Sequence, residues 1–121
     1  VQTAFYEGNG SCNILIDQCK SQAYGMNAII GLGMGKVVLS GAEPEAMSFF
    51  GFNNDYPVIN IIPNVNQIYQ VLKALTENPT QIERIGKDGR LFVESLHSHT
   101  NVAKKYLLLW EKELKNKHQF R

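Results

Sequence analysis

The sequence predicts an α/β fold, in which half of a doubly wound parallel sheet, about three strands, is followed by C-terminal helices. Three short runs rich in apolar and β-branched residues predict buried strands, namely 13–17 (NILID), 36–40 (KVVLS) and 57–62 (PVINII). Helical segments separate these runs, and no two-residue hairpin turn joins any pair of them. We therefore expect right-handed crossovers and a parallel sheet.

Two helices are predicted between the strands. The segment 25–34 (GMNAIIGLGM) combines apolar residues with small glycines, a pattern that suits a helix lying close against a sheet. After the second strand, Pro44 fits the first turn of a short helix that ends near Gly51. This alternation of strands and helices gives the crossovers that a parallel sheet needs.

The second half of the chain is predicted to be helical throughout. Asn64 and Gln67 form a capping box ahead of an amphipathic helix that Pro79 ends. Thr80 and Glu83 form a second box at the start of the next helix. On the last helix we expect an apolar inner face, with its tryptophan in the core or in an interdomain contact, and this face comprises Ala103, Tyr106, Leu107, Trp110 and Leu114.

Composition limits the classes of function that the chain can serve. Its 121 residues, 44% of them hydrophobic, suffice for one domain, 1–121. The formal net charge of +1 gives no broad field for nucleic acid or an acidic membrane surface, so a polyanion must be held locally. Cys12 and Cys19 are too few for a disulfide framework or a zinc spacing. The start VQTAFYEGNGSC lacks a secretory pattern, so we expect a cytoplasmic protein. We expect neither a metal nor a cofactor.

The strongest functional signal is the strand, loop, helix and strand between residues 17 and 38. In a parallel sheet such a loop lies at the carboxyl edge of the strands, where open α/β sheets bind ligands. A helix that starts near Gly25 directs unpaired N–H groups into that crevice, and this suits a diphosphate. Gly25 then allows close approach of the ligand to the backbone. The alternative is that this glycine only permits a tight turn.

The run from Asp17 to Val38, with Asp-Gln, Tyr-Gly and Gly-Lys at its fixed points, resembles the donor-binding half of retaining GT-B glycosyltransferases of group 1. The loop GAEPE, the helix ending ALTENP and the stretch IERIGKDGRLFVE continue the similarity. It covers the chain from Ile14 to Leu114. The resemblance implies a Rossmann-like, C-terminal donor-binding domain of an enzyme that transfers a sugar from a nucleoside-diphosphate sugar to an acceptor glycan or glycolipid.

The resemblance also implies a set of donor-binding residues. Tyr24 shapes the turn, while the amides of Gly25, Met26 and Asn27 and the Asn27 side chain meet the sugar or the phosphates. Catalysis in such enzymes comes mostly from stabilising charge on the leaving diphosphate, so no catalytic residue is assigned. The acceptor-binding domain would precede this chain, and we expect the chain by itself to be inactive.

Departures from the family pattern occur at two further donor positions. Gln22 and Ile30 stand where many members have glutamates, and the second of those glutamates usually meets the donor ribose.

Glu43 and Glu45 follow the second strand, where one of them reaches a sugar hydroxyl or both form a solvated first helical turn. Asp17 either contacts a ligand or caps the following loop. The family's basic pair, which meets the diphosphate, belongs to strands that are not in this chain.

Two other functions fit the sequence. Gln22 and Ile30 permit a degenerate, non-catalytic sugar-nucleotide-binding or interaction module. A small flavodoxin-like regulatory domain is a third reading, although only three strands are found and the first lacks a terminal acidic pair. A doubly wound domain normally has about six strands and this chain has three, so we expect the isolated chain to self-associate into a homo-oligomer through the open sheet edge or by exchange of the last helix. His97 and His99 are interpreted as turn residues and not as metal ligands.

Overall fold

A computed structural model describes residues 11–119 of the chain, with side chains over 11–117. The segment 1–10, which holds most of the start that lacks a secretory pattern, lies outside the described residues. The described chain is an α/β structure, in which a three-stranded parallel sheet is followed by helices. The predicted coarse class is thus confirmed. No helix of the described chain combines the length and the apolar character needed to cross a bilayer.

The sheet has the order β1-β2-β3, with β1 at Ile14–Ile16, β2 at Val37–Ser40 and β3 at Ile59–Asn60. Each strand is shorter than its predicted run. All four residues of β2 are buried, as expected for a central strand of a parallel sheet. Ile16, in contrast, is 49% exposed. The prediction of a buried strand is therefore wrong for Ile16, which lies on β1, a strand that pairs within the described residues with β2 alone.

Two helices connect the strands and three follow them. Helix α1 spans Met26–Gly33 and helix α2 spans Pro44–Phe49, with Pro44 in its first turn as predicted. The C-terminal part contains α3 at Val65–Thr76, α4 at Pro79–Leu96 and α5 at His99–Gln119. This order matches the predicted succession of elements.

The core is divided by the sheet because successive side chains of a strand point to opposite faces. Val38 belongs to one cluster, which contains residues of α1 together with Phe92 of α4. Val37 and Leu39 belong to the other, which includes Leu75 of α3. Full burial of each such apolar side chain contributes roughly 1.5–3 kcal/mol. Both faces of the sheet are therefore covered by helices.

Small residues let α1 lie close to the sheet, as the sequence predicted. A Cβ atom on Gly31 would lie 2.6 Å from Leu15 Cδ2 and 3.0 Å from Val38 Cγ2. On the other side of α1, a Cβ atom on Gly89 of α4 would lie 2.9 Å from Leu32 Cδ2. Helix α1 is thus held between the sheet and α4 at a distance that larger side chains would not allow.

The first predicted capping box is half confirmed. Asn64 Oδ1 accepts a hydrogen bond from Gln67 N at 3.0 Å, which caps α3. The Gln67 side chain does not return to Asn64. Its Nε2 donates to Asn60 O at 3.0 Å and its Oε1 accepts from Ile62 N at 3.3 Å, because the sheet ends there and leaves backbone groups to be paired.

The second predicted capping box is wrong. Helix α4 begins at Pro79, whose fixed φ suits the first helical position, so Asn78 occupies the N-cap. Thr80 therefore lies inside the helix, where its Oγ1 donates to Asn78 Oδ1 at 2.9 Å. Glu83 forms an ion pair with Lys87 at 2.7 Å and does not return to the N-terminus.

The predicted inner face of the last helix is also wrong for the described part of α5. Asn101 anchors the start of the helix by donating from Nδ2 to Ser95 O at 2.8 Å. Every described side chain from 102 to 117 is exposed, and Trp110 is 59% exposed, so it is no core residue. The Tyr106 and Trp110 rings contact each other at a centroid distance of 6.1 Å. Amphipathic spacing thus marked a face that the rest of the described chain does not cover.

Candidate functional site

Side-chain hydrogen bonds tie together the carboxyl ends of all three strands. Ser40 Oγ, at the fully buried end of β2, donates to Asp17 Oδ2 at 2.9 Å. Ala42 N donates to Asn60 Oδ1 at 2.8 Å, which joins the β2–α2 loop to the end of β3. Asp17 therefore pairs with the neighbouring strand, a role that the sequence did not predict. These bonds fix the strand ends from which the β1–α1 and β2–α2 loops leave the sheet.

The β1–α1 loop lies across the start of the β2–α2 loop. Glu43 N donates to Gln22 O at 2.8 Å. Gly41 is in such close contact with Ser21 that a Cβ atom there would collide with the Ser21 carbonyl group. Gln22 and Glu43, both predicted as donor-binding residues, are consequently brought together. They line a groove of 370 Å³ whose other lining residues are Cys19, Lys20, Ser21, Ile62 and Pro63.

Gly25 is the N-cap residue of α1. Its φ of −117° and ψ of −163° are extended values that any residue adopts, so a tight turn does not explain the glycine. A Cβ atom there would lie 4.0 Å from Gln18 Nε2, an ordinary contact. Neither the backbone conformation nor crowding within the described chain requires a glycine at this position.

The first turn of α1 presents unpaired backbone donors. No described side chain caps the helix, and its first turn contains no acidic residue. Met26 and Asn27 are exposed, with Met26 at 69%. The first N–H groups of a helix have no partner within it, and the aligned peptide dipoles add roughly +0.5 elementary charge there. This arrangement can bind an oxyanion.

Tyr24 points away from this groove and into the first core cluster. Its Oη lies 3.5 Å from Nε2 of His97, the residue that follows α4. Burial raises the pKa of the Tyr24 phenol. Burial, and secondarily the charge of Lys105, lowers the pKa of His97. The pair is thus neutral at pH 7.

The sequence interpretation missed His97 as a partner of a site residue. Tyr24 and His97 are 73 positions apart, and no local spacing connects them. Together they line a second cavity, of 310 Å³, whose other lining residues are Ala23, Ile29, Met47, Phe50 and Phe52. Of the eight predicted donor-binding residues, Gln22 and Glu43 therefore line the groove and Tyr24 lines the second cavity.

The other five predicted residues, Gly25, Met26 and Asn27 at the start of α1 together with Ile30 and Glu45, line neither cavity. Ile30 is half-buried in α1, and its carbonyl oxygen accepts from Met34 N at 3.0 Å near the end of the helix. Glu45 is exposed in the first turn of α2, where a carboxylate interacts favourably with the helix dipole. Among the described residues, no three His, Cys, Asp or Glu side chains are grouped closely enough to hold a metal ion.

Comparison with protein-family models, with curated proteins and with solved structures finds no match for this chain.

Proposed function

We propose that this chain is the C-terminal, nucleotide-sugar-binding part of a GT-B glycosyltransferase of group 1, with the Rossmann-like topology of that family. The intact enzyme would transfer a sugar from a nucleoside-diphosphate sugar to an acceptor glycan or glycolipid. The observation that carries this proposal is the start of α1. No described side chain caps it, it has glycine at the N-cap, and the loop 17–25 joins it to the first strand of a parallel sheet.

The start of α1 has the chemistry that a diphosphate requires. Its N–H groups lack side-chain acceptors, and the positive end of the helix dipole favours an anion. The side chain that is absent at Gly25 leaves these donors accessible. Because the backbone at Gly25 is ordinary, access for a ligand is a better reason for the glycine than conformation. The Asn27 side chain, exposed in the same turn, adds an amide donor for a phosphate or sugar oxygen.

The groove beside Gln22 and Glu43 suits the sugar. A carboxylate accepts hydrogen bonds from sugar hydroxyls, and a glutamine amide both donates and accepts them. Gln22 thus retains part of the hydrogen-bonding capacity of the glutamate that many members have there. Ile30, half-buried and apolar, offers the ribose no such acceptor. In this proposal the donor is held mainly through its diphosphate and its sugar.

Calorimetry of the intact protein with a panel of nucleoside-diphosphate sugars tests the proposal. We expect Asn27→Ala to weaken donor binding by about 1–3 kcal/mol, which is roughly 5- to 150-fold in Kd. Gly25→Val should block the helix start and sharply reduce transfer, while the helical circular dichroism signal stays nearly unchanged. Asn66→Ala is the matched control, since Asn66 is an exposed asparagine in the first turn of α3.

Three results would contradict the proposal. If no donor produces heat with the intact wild-type protein, the degenerate interaction module becomes the better interpretation. If Asn66→Ala reduces donor affinity as much as Asn27→Ala, the loss is not local to α1. Unchanged transfer in Gly25→Val would show that the diphosphate does not bind at the start of α1.

A further inference from the structure

We infer that the cavity lined by Tyr24 and His97 binds a small uncharged molecule with a single aromatic ring and one hydroxyl group. We call it the aromatic cavity, and its seven lining residues are Ala23, Tyr24, Ile29, Met47, Phe50, Phe52 and His97. It is separate from the Gln22–Glu43 groove, and the inference does not rest on the proposed glycosyltransferase function.

The size and lining of the aromatic cavity suit a one-ring ligand. Its volume of 310 Å³ is at the lower end of the range for small-molecule sites, and a dry apolar cavity of about 150 Å³ already accepts benzene. Among the described lining residues, only Tyr24 and His97 have polar side chains. A ring therefore fits with room for one substituent, while a nucleotide or an oligosaccharide would leave many polar groups unpaired.

The walls of the aromatic cavity are held in place from behind. Phe92, which is 9% exposed, contacts the Phe52 ring at a centroid distance of 5.4 Å and the His97 ring at 5.6 Å. Met47 is fully buried, and its flexible thioether side chain adapts well to an aromatic neighbour. Phe50 is 58% exposed and so lies where the cavity meets solvent. Most of the lining is thus preformed, which lowers the entropic cost of binding.

The polar end of the cavity specifies a hydroxyl group. Tyr24 Oη and His97 Nε2 are 3.5 Å apart, at the outer limit of a hydrogen bond, so their mutual bond is weak. A ligand hydroxyl can accept from the Tyr24 phenol and donate to the His97 ring nitrogen. It thereby replaces one long bond with two shorter ones. With His97 protonated on Nδ1, the tautomer in which Nε2 accepts, a group that only accepts, or one with no polar atom, cannot pair with both.

Charge selection follows from the same pair of residues. The raised pKa of Tyr24 and the lowered pKa of His97 keep both neutral at pH 7. None of the other lining residues carries a charge. An ammonium group would lose its hydration in the cavity without gaining a counter-charge from the lining, and a carboxylate would gain only the charge of Lys105, which acts on His97 from outside the lining. The cavity therefore selects uncharged ligands over charged analogues of the same shape.

Ligand-observed NMR titration of the whole protein with three probes tests this inference. The probes are p-cresol, toluene and p-toluate, which differ only in a hydroxyl group, its absence or a carboxylate. We expect p-cresol to bind about three- to ten-fold more tightly than toluene, the usual range for one net hydrogen bond. The carboxylate p-toluate should bind more weakly than either.

Variants connect this preference to the cavity. Tyr24→Phe keeps the ring and removes only the hydroxyl, so it should abolish the advantage of p-cresol and leave toluene binding nearly unchanged. Ala23→Phe should fill the cavity and weaken both probes. Tyr69→Phe is the matched control, because Tyr69 is 58% exposed on α3 and does not line the cavity. The inference is overturned if no probe binds saturably, if p-cresol and toluene bind equally to wild type, or if Tyr24→Phe retains the preference.

Discussion

Gly86 of α4 lies directly against the carbonyl group of Gly35, the residue where the chain turns after α1. Gly86 is buried, and a Cβ atom on it would collide with the Gly35 carbonyl oxygen. Gly35 itself has a φ of 73°, in the left-handed region that favours glycine. The crossing of α1 and α4 therefore depends on two glycines in contact, and this crossing holds the helix on which the candidate site is built.

Gly86→Ala should destabilise the protein, although alanine is the better helix former by about 0.5–1 kcal/mol. Forcing a methyl group against backbone atoms costs typically 1–3 kcal/mol, so the collision outweighs the propensity. Gly33→Ala is the control, since its Cβ atom would lie 3.7 Å from Val93 Cγ1, an ordinary contact. Denaturant midpoints measure the stability of both variants. Equal midpoints for the two variants would contradict this account of the crossing.

Local pattern was sufficient to predict most of the fold. Strand runs and the small residues of α1 are read from neighbouring positions, and the structure confirms the parallel sheet and the close packing at Gly31. The errors arose where local pattern has more than one outcome. Thr80 resembles an N-cap until Pro79 begins the helix one position earlier, and the spacing around Trp110 shows an apolar stripe but not whether anything covers it.

The candidate site was less predictable because long-range contacts assemble it. The sequence placed Gly25 at a helix start after the first strand, where the structure has it. It could not show that Glu43 N bonds to Gln22 O, since that bond joins two loops that leave different strands. The Tyr24–His97 contact lies even further beyond local pattern. Spacing identifies the turn residues of a site, whereas packing decides which of them share a cavity.

Gly41→Ala tests how firmly the two loops of the candidate site are fixed to each other. The added methyl group would collide with the Ser21 carbonyl group, so the β1–α1 loop must move or the protein loses roughly 1–3 kcal/mol of stability. Gly25→Ala adds no collision and loses only the N-cap preference of glycine over alanine, so it should cost less, roughly 0.5–1 kcal/mol. Thermal melts, together with amide shifts of residues 20–25, distinguish the two variants. A Gly41→Ala protein with wild-type stability and shifts would show that this contact is not tight.

His97 should make stability depend on pH. Burial, and then the charge of Lys105, lowers its pKa in the folded protein below the ordinary value of 6.5. The unfolded chain therefore binds the proton first as the pH falls. The contribution of His97 to stability is present above pH 6.5 and is lost as the pH drops from there towards its lowered pKa.

The denaturant midpoint of His97→Gln should therefore fall less steeply than that of wild type as the pH drops below 6.5. His99→Gln, which changes an exposed histidine two residues away, is the matched control. Added salt should reduce the part of the difference that comes from Lys105 and leave the part that comes from burial. Parallel slopes for wild type and His97→Gln would contradict the assignment.

The exposed apolar face of α5 should cause self-association. Leu107 and Leu114 are 54% and 59% exposed, and Trp110 lies between them in the sequence with a similar exposure. Contiguous apolar surface of this kind is uncommon on a monomer, and pairing two copies removes it from water at roughly 25 cal/mol per Å². The open β1 edge, with Ile16 exposed, is a second route to association.

Light scattering at micromolar concentration should detect oligomers, and the emission of the single tryptophan should move to shorter wavelength as the concentration rises. Leu107→Glu should weaken association through α5, and Ile16→Lys should weaken it through the edge. Leu91→Glu is the control, because Leu91 is 63% exposed on α4. A monomer whose melting temperature does not depend on concentration would contradict both routes.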